Sequence, residues 1–414
     1  MAIKLLSFLL LFFSGCLFAD SQVVVGADTL FSKEYKDFLF KKRIGLITNH
    51  TAINRNMKST ADLLKENAEK YGYQITAFFA PEHGLNGQNH ASEYIADEKS
   101  DDGIPIYSLH GKTRRPTDEM LSQLDLLIYD IQDIGSRSYT YIATLFYAME
   151  EASKHKIEVL VLDRPNPING VTIDGPMLDE DLRSIVGYIN VPYCHGMTIG
   201  ELARFFNEEY KIGCKLNVAK MKGWNRKMSF QDTKLSWIPT SPNIPEATTA
   251  FYYPITGILG ELQIVNIGIG HTLPFKVVGA PWINAKQFAK KLNDQKFPGV
   301  YFEPFYYKPF YGRFKNEPCE GVLIIVKDPL IYKPVSTQYL LIGILKGLYK
   351  EQFEAALESS KNRKEMFDKV NGTKEIYSII KNESNIVWKL RSLQEDKRKA
   401  FTELRNKYLI AEYQ

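Results

Sequence analysis

The sequence predicts an α/β fold: a Rossmann-like parallel sheet in the N-terminal domain, beside a smaller mixed α+β C-terminal domain. Three observations carry this. Short, uninterrupted apolar runs alternate with helix-like stretches, the mark of βαβ units whose strands are covered on both faces. The chain has 414 residues, enough for two or three domains with real cores. From about residue 230 the chain turns rich in Pro and Gly and the alternation changes character.

The elements follow in order. Met1–Lys4 carries one positive charge, Leu5–Phe13 is apolar, and small residues lead to Asp20, which together read as a secretory signal peptide over 1–19. The run is too short for a comfortable membrane span. Ser14-Gly15-Cys16 resembles a bacterial lipobox, which would attach a lipid and hence a membrane at Cys16; cleavage after Ala19 would instead release a soluble protein. Either way the chain is expected to be exported to the periplasm or cell envelope.

A first domain over 23–230 then opens with a strand at Arg43–Thr48 and a helix at Ser59–Tyr71. Further strands are expected at Gln74–Phe79, Ile104–Tyr107, Leu124–Ile131 and Val159–Asp163, with a helix at Tyr139–Lys154. Thr198–Tyr210 reads as a helix with Thr198 as N-cap and Glu201 completing a capping box. In the second domain, 231–414, strands are expected at Leu262–Ile267 and Gly321–Val326, and helices at Ala285–Asn293 and Thr337–Lys350. Apolar residues at helical spacing from Asn385 to Tyr413 predict a terminal amphipathic helix.

Composition excludes several classes. The 52 basic and 48 acidic residues nearly balance, unlike the basic excess of a nucleic-acid-binding protein. Four cysteines cannot build a disulfide scaffold. Export would leave Cys194, Cys214 and Cys319, either with a Cys194–Cys214 bridge or as buried free thiols. Aromatic residues are 13% of the chain, used in cores and, in clefts, to hold sugars. No P-loop, G-x-G-x-x-G, G-x-S-x-G or H-E-x-x-H is present. Nothing in the sequence requires a cofactor. His50, His83, His90, His110 and His195 lack a tight metal-ligand spacing, which leaves a metal-dependent hydrolase a distant third reading.

Ligands of open parallel sheets bind beyond the carboxyl ends of the strands. Those ends carry Thr48-Asn49-His50-Thr51, Pro81-Glu82-His83-Gly84, Asp130-Ile131-Gln132-Asp133 with Arg137 and Tyr139 behind, and Asp163-Arg164-Pro165-Asn166. Glu82, between a rigid Pro and a permissive Gly, is placed for general acid chemistry. Its alternative use is a loop-bracing ion pair with Arg114, Arg115 or Arg137. Asp130 and Asp133 are candidate partners, as a second carboxylate or as acceptors for sugar hydroxyls; a strand-end Asp also serves as a helix N-cap.

At these residues a family becomes recognisable. Gly45–Thr51, Ala80–Gly87, Asp130–Tyr141, Leu162–Pro167, His195–Leu202 and Ser241–Pro245 occur in order, with a closing Phe401…Arg405…Tyr408-Leu409. The series resembles the NamZ-type exo-β-N-acetylmuramidases, from about Val25 to the C-terminus. The resemblance implies a site in the cleft between the two domains and release of terminal N-acetylmuramic acid from non-reducing ends of peptidoglycan fragments. The favoured catalytic glutamate falls on Glu82, with Asp130 or Asp133 as its partner. The strand-end set and the matched motifs give Asn49, His50, His83, Arg137, Tyr139, Asp163, Arg164, Asn166, His195 and Glu261 as candidate substrate-binding residues.

One segment departs from the family pattern. Where a glycine-rich E-G-T-N-x-S-x-G-R-G-T-like stretch is usual, Glu261 and the glycines remain, but Ile264 and Ile269 stand at the Asn and Arg positions. Loss of that Arg would remove a contact to an anionic group such as a lactyl carboxylate. The competing expectation is therefore a non-catalytic or specificity-shifted cell-wall glycan-binding protein of the same fold.

Overall fold

The computed structural model describes residues 22–90 and 93–414. The expected leader, with Cys16 and the Ala19 junction, lies outside the described residues. Seven strands form one sheet: β1 (Arg43–Thr48), β2 (Gln74–Ala80), β3 (Glu98–Lys99), β4 (Pro105–Ser108), β5 (Leu126–Asp130), β6 (Glu158–Leu162) and β7 (Leu216–Ala219). Their order is β3-β4-β2-β1-β5-β6-β7, and every pair is parallel except the antiparallel edge β3–β4. Without that edge the order runs third, second, first, fourth, fifth, sixth, the doubly wound arrangement whose switch point falls between β1 and β5.

The apolar runs of the sequence are explained by burial on both faces. Leu127, Tyr129, Val159 and Val161 point to one side, toward helices α2 (Thr140–Lys154) and α3 (Ile199–Glu209). Leu126, Ile128, Leu160 and Leu162 point to the other, where Leu64 of helix α1 (Thr60–Tyr71) and the 25–39 segment cover them. Local signals set the helix ends: Ser59 Oγ accepts from the Asp62 amide, and Gly72 closes α1 at φ 66°. Thr198 and Glu201 form the predicted capping box of α3.

The second domain has a three-stranded antiparallel sheet of β8 (Val277–Ala280), β9 (Val300–Tyr307) and β10 (Cys319–Val326), ordered β8-β10-β9. Helix α5 (Ala285–Asn293) packs on that sheet, and α6 (Pro334–Leu348) packs against both α5 and α4 (Thr249–Glu261). Its apolar core is continuous with that of the first domain.

Two expectations are corrected, and one left open is decided. Leu262–Ile267 is not a strand; α4 runs to Glu261, Leu262 and Ile264 drop into the core, and only Asn266 bridges β8 through Gly279. A short apolar run does not distinguish a strand from a buried helix end. The terminal amphipathic helix is two helices, Ile386–Ser392 and Glu395–Arg405, broken at Gln394 with φ 56°. Gln394 Oε1 accepts from the Met177 amide at 2.8 Å, a tertiary contact that periodicity does not register. Cys194, Cys214 and Cys319 are all buried free thiols, with no Cys194–Cys214 bridge.

Candidate active site

Glu82 follows β2 inside the turn Pro81–Gly84, closed by the Gly84 amide donating to the Pro81 carbonyl at 3.0 Å. His83 at φ 72° and Gly84 at φ 78° are both left-handed, which turns the chain sharply at the carboxyl end of β2. The His83 ring is fixed by Nδ1 against the Asn89 carbonyl at 2.7 Å, with its edge toward Tyr141. The Glu82 carboxylate is buried. Thr140, the first residue of α2, donates its hydroxyl to Oε2 at 2.7 Å, and His110 Nε2 lies 3.6 Å from Oε1. Burial holds the His110 imidazole below its ordinary value, so at neutral pH it faces Glu82 uncharged.

Two of the arginines weighed as bracing partners for Glu82 are committed elsewhere. Arg115 pairs with Glu150 and Glu151. Arg137 is buried with no carboxylate against its nitrogens among the described residues; it donates to the carbonyls of Pro176, Val191, Val370 and Asn371, and burial depresses its pKa to about 10. It straps the two domains together by their main chains.

The two strand-end aspartates have different surroundings. Asp130 is fully buried, and Arg164 grips both of its oxygens while Thr60 donates to Oδ2 at 2.5 Å. Asp133 Oδ2 accepts from the Gly135 amide at 2.7 Å, but Oδ1 is buried and unpaired among the described residues. Burial raises the Asp133 carboxyl to about 7. Asp163 is occupied as a cap, accepting from Thr198 Oγ1, the Gly200 amide and the Tyr413 hydroxyl at 2.8–2.9 Å.

Other predicted residues sort the same way. Asn49 Oδ1 fixes the Thr51 amide and hydroxyl, and its side chain also faces the Tyr141 hydroxyl. Tyr139 donates to Thr240 and packs edge-on against Tyr141 and Tyr253. His50 joins three segments: its ring contacts the Pro239 carbonyl at 2.7 Å, its amide reaches the Leu85 carbonyl, and Gly87 lies flat against the ring. Asn166 ties the Pro165–Pro167 loop to the Met197 carbonyl. His195 is closed in the interior, driven down to about 3 by burial, and so neutral. Glu261 lies across the domain junction, ion-paired to Arg363 at 2.5 Å, in the wall of a cavity of about 260 Å³ that Tyr253 and Asn243 also line.

Glu82, His83, Asn49, Tyr139 and Asp133 thus gather around the carboxyl ends of β1, β2 and β5, whereas Asp130, Asp163, Arg164, Asn166, Arg137 and His195 brace the loops that carry them. Comparison with known proteins identifies the family. Residues 44–248 match the N-terminal domain and residues 251–410 the C-terminal domain described as Exo-beta-N-acetylmuramidase NamZ.

The chain belongs to the NamZ family.

A curated member, the peptidoglycan beta-N-acetylmuramidase NamZ of Bacillus subtilis (strain 168), is 42% identical over 392 residues, covering 94% of this chain and 91% of that protein. Two crystal structures of DUF1343 family proteins from Bacteroides fragilis NCTC 9343 superpose with TM-scores of 0.86 and 0.73, at 40% and 28% identity. Each alignment covers 94% of this chain and 99% of the other.

Within the NamZ fold, His110 and Thr140 beside Glu82, and Tyr253 beside Tyr139, are not among the predicted site residues. His110 follows β4, and the strand-end rule finds it once β4 is included among the strands whose ends are read. Thr140 falls inside the matched Asp130–Tyr141 motif without being singled out, and Tyr253 lies outside every matched motif. A helix-start threonine and a tyrosine inside an apolar helix look like any others until the fold brings them to the cleft.

Proposed function

We propose that the chain is an exo-acting glycoside hydrolase that removes terminal N-acetylmuramic acid from the non-reducing ends of peptidoglycan fragments. Family membership supports the reaction class, and the buried Glu82 carboxyl at the switch-point crevice carries the assignment of the acid. Glu82, held at one oxygen by Thr140, gives its proton to the leaving glycosidic oxygen. A neutral His110 beside it adds no positive charge that would hold Glu82 as the anion. Asp133, with one carboxyl oxygen unpaired among the described residues, is the second carboxylate, supporting the oxocarbenium-like transition state or the water that attacks it. Asp130 positions Arg164. Asn49, His83 and Tyr139 line the sugar site. Export ahead of residue 20 would deliver the enzyme to the envelope, where peptidoglycan fragments are generated.

The decisive experiment uses the protein lacking residues 1–19 and an aryl β-N-acetylmuramide. The wild type is expected to release the aryl alcohol, and Glu82→Gln to lose about 10²- to 10⁴-fold in kcat while still binding the sugar. Undiminished turnover by Glu82→Gln would remove Glu82 from the mechanism. Retained binding without turnover in the wild type would favour a glycan-binding role.

A further inference from the structure

The segment that departs from the family pattern has a structural answer nearby. Ile264 is fully buried in the core and does not reach the cleft. Ile269 lines the 260 Å³ cavity, and so does Arg313, contributed by the β9–β10 connection. That connection is docked directly on the 266–270 segment. Asn266 Nδ2 donates to the carbonyls of Ile269 and Arg313 at 2.9 Å each, and the Phe310 amide donates to the Gly270 carbonyl at 2.8 Å. At Gly270, φ 87°, a Cβ would drive into the Tyr311 backbone, so only glycine allows this approach.

Arg313 is the only cation among the described lining residues of the cavity, and no carboxylate is paired with it there. Its guanidinium carbon lies over the Phe314 ring, 4.5 Å from the centroid, and its Nε is buried without a partner among the described residues. A guanidinium resting on an aromatic ring keeps its N–H groups as donors, which can take a carboxylate in a two-pronged contact. The one acid in the wall, Glu261, is already neutralised by Arg363. The cavity therefore keeps an uncompensated positive charge. Tyr253 joins it to the catalytic side: it lines the cavity, meets Ser138 through its hydroxyl, and packs edge-on against Tyr139.

We propose that Arg313 is the specificity residue of this chain, reading the lactyl carboxylate of the terminal N-acetylmuramic acid from a loop, in place of an arginine at position 269. The proposal rests on the muramidase reading above and names its recognition element.

The test compares wild type, Arg313→Gln and Arg313→Lys on three aryl glycosides: the β-N-acetylmuramide, its lactyl methyl ester, and the β-N-acetylglucosaminide. Binding of free N-acetylmuramic acid and of N-acetylglucosamine is measured by calorimetry on the same proteins. The Gln variant is expected to lose about 10- to 100-fold in kcat/KM on the muramide and far less on the two substrates without a carboxylate, with partial recovery in Lys. Equal losses on all three, or an unchanged muramide-to-ester ratio, would overturn it. If the wild type cleaves none of them, the muramidase reading fails, and the sugars decide Arg313 separately. A preference for the acid that disappears in Arg313→Gln supports the assignment; equal affinities in both proteins overturn it.

Discussion

At the scale of single residues, Asp130 and Asp133 stand three positions apart at the end of one strand, both buried, and differ in their partners. Asp130 is ionically satisfied by Arg164 and cannot be neutralised without stranding a buried guanidinium. Asp130→Asn is expected to cost about 3–5 kcal/mol in unfolding free energy, as when one member of a buried ion pair is removed. Asp133 holds its proton up to about pH 7 in the folded chain, against an ordinary 3.8. A raised folded pKa means that its contribution to stability is fully present below about 3.8 and is lost as pH climbs through about 7. Denaturation of wild type and Asp133→Asn across this range should show the wild type losing ground steadily to the variant. A constant difference would contradict the burial argument. In kcat/KM, the wild-type limb near pH 7 should vanish in Asp133→Asn along with most of the activity.

At the scale of elements, the strand-end loops are held by one another more than by solvent-facing turns. Gly87 sits at φ 72° and flat against the His50 ring, which is itself pinned to the Pro239 carbonyl. Gly87→Ala would place a methyl inside that ring and force a left-handed alanine. The expected result is displacement of the Asn49–Thr51 and Glu82–Asn89 loops, with kcat falling by about ten-fold or more and a comparatively modest drop in melting temperature. Unaltered kinetics would show that His50 can move without disturbing Glu82. The same reasoning explains the sequence stretches that proved hardest to read. Strand and helix cores at 43–48, 140–154 and 285–293 were legible from period and composition. The 262–267 stretch was not, because its apolar residues serve packing at a helix end, with no ladder to give them a period.

At the scale of the molecule, the two domains are tied by buried polar contacts and by the end of the chain. Arg137 binds carbonyls of both. Arg405 donates to the Gly196 carbonyl at 2.6 Å, and the Ile410 amide reaches Glu201 at 2.8 Å. Tyr413 is fully buried between Trp224 and the first-domain sheet, donating to Asp163 and accepting from the Met221 amide. Tyr413→Ala should therefore destabilise the first domain, by about 3–5 kcal/mol for an aromatic core truncation, and reduce muramidase activity although residue 413 is remote in sequence from the strand-end motifs. A domain spanning 23–230 expressed alone would lack this clasp. Wild-type melting of Tyr413→Ala would show that the terminus is only an ornament of the surface.

The sequence by itself determined the α/β class, the strand ends on which the polar motifs sit, Glu82 as the candidate acid, and the family. These depend on local periodicity and on residue order, both of which are written along the chain. Only the tertiary structure decided how the polar residues divide their labour. Whether a carboxylate or imidazole is free depends on partners 34 to 250 positions away, as for Asp130 with Arg164 and Asp163 with Tyr413. Likewise, that Arg313 stands beside Ile269 follows from two loops docking through Asn266 and Gly270. Burial and long-range pairing set the energy of every buried charge, and neither is a property of any short stretch of sequence.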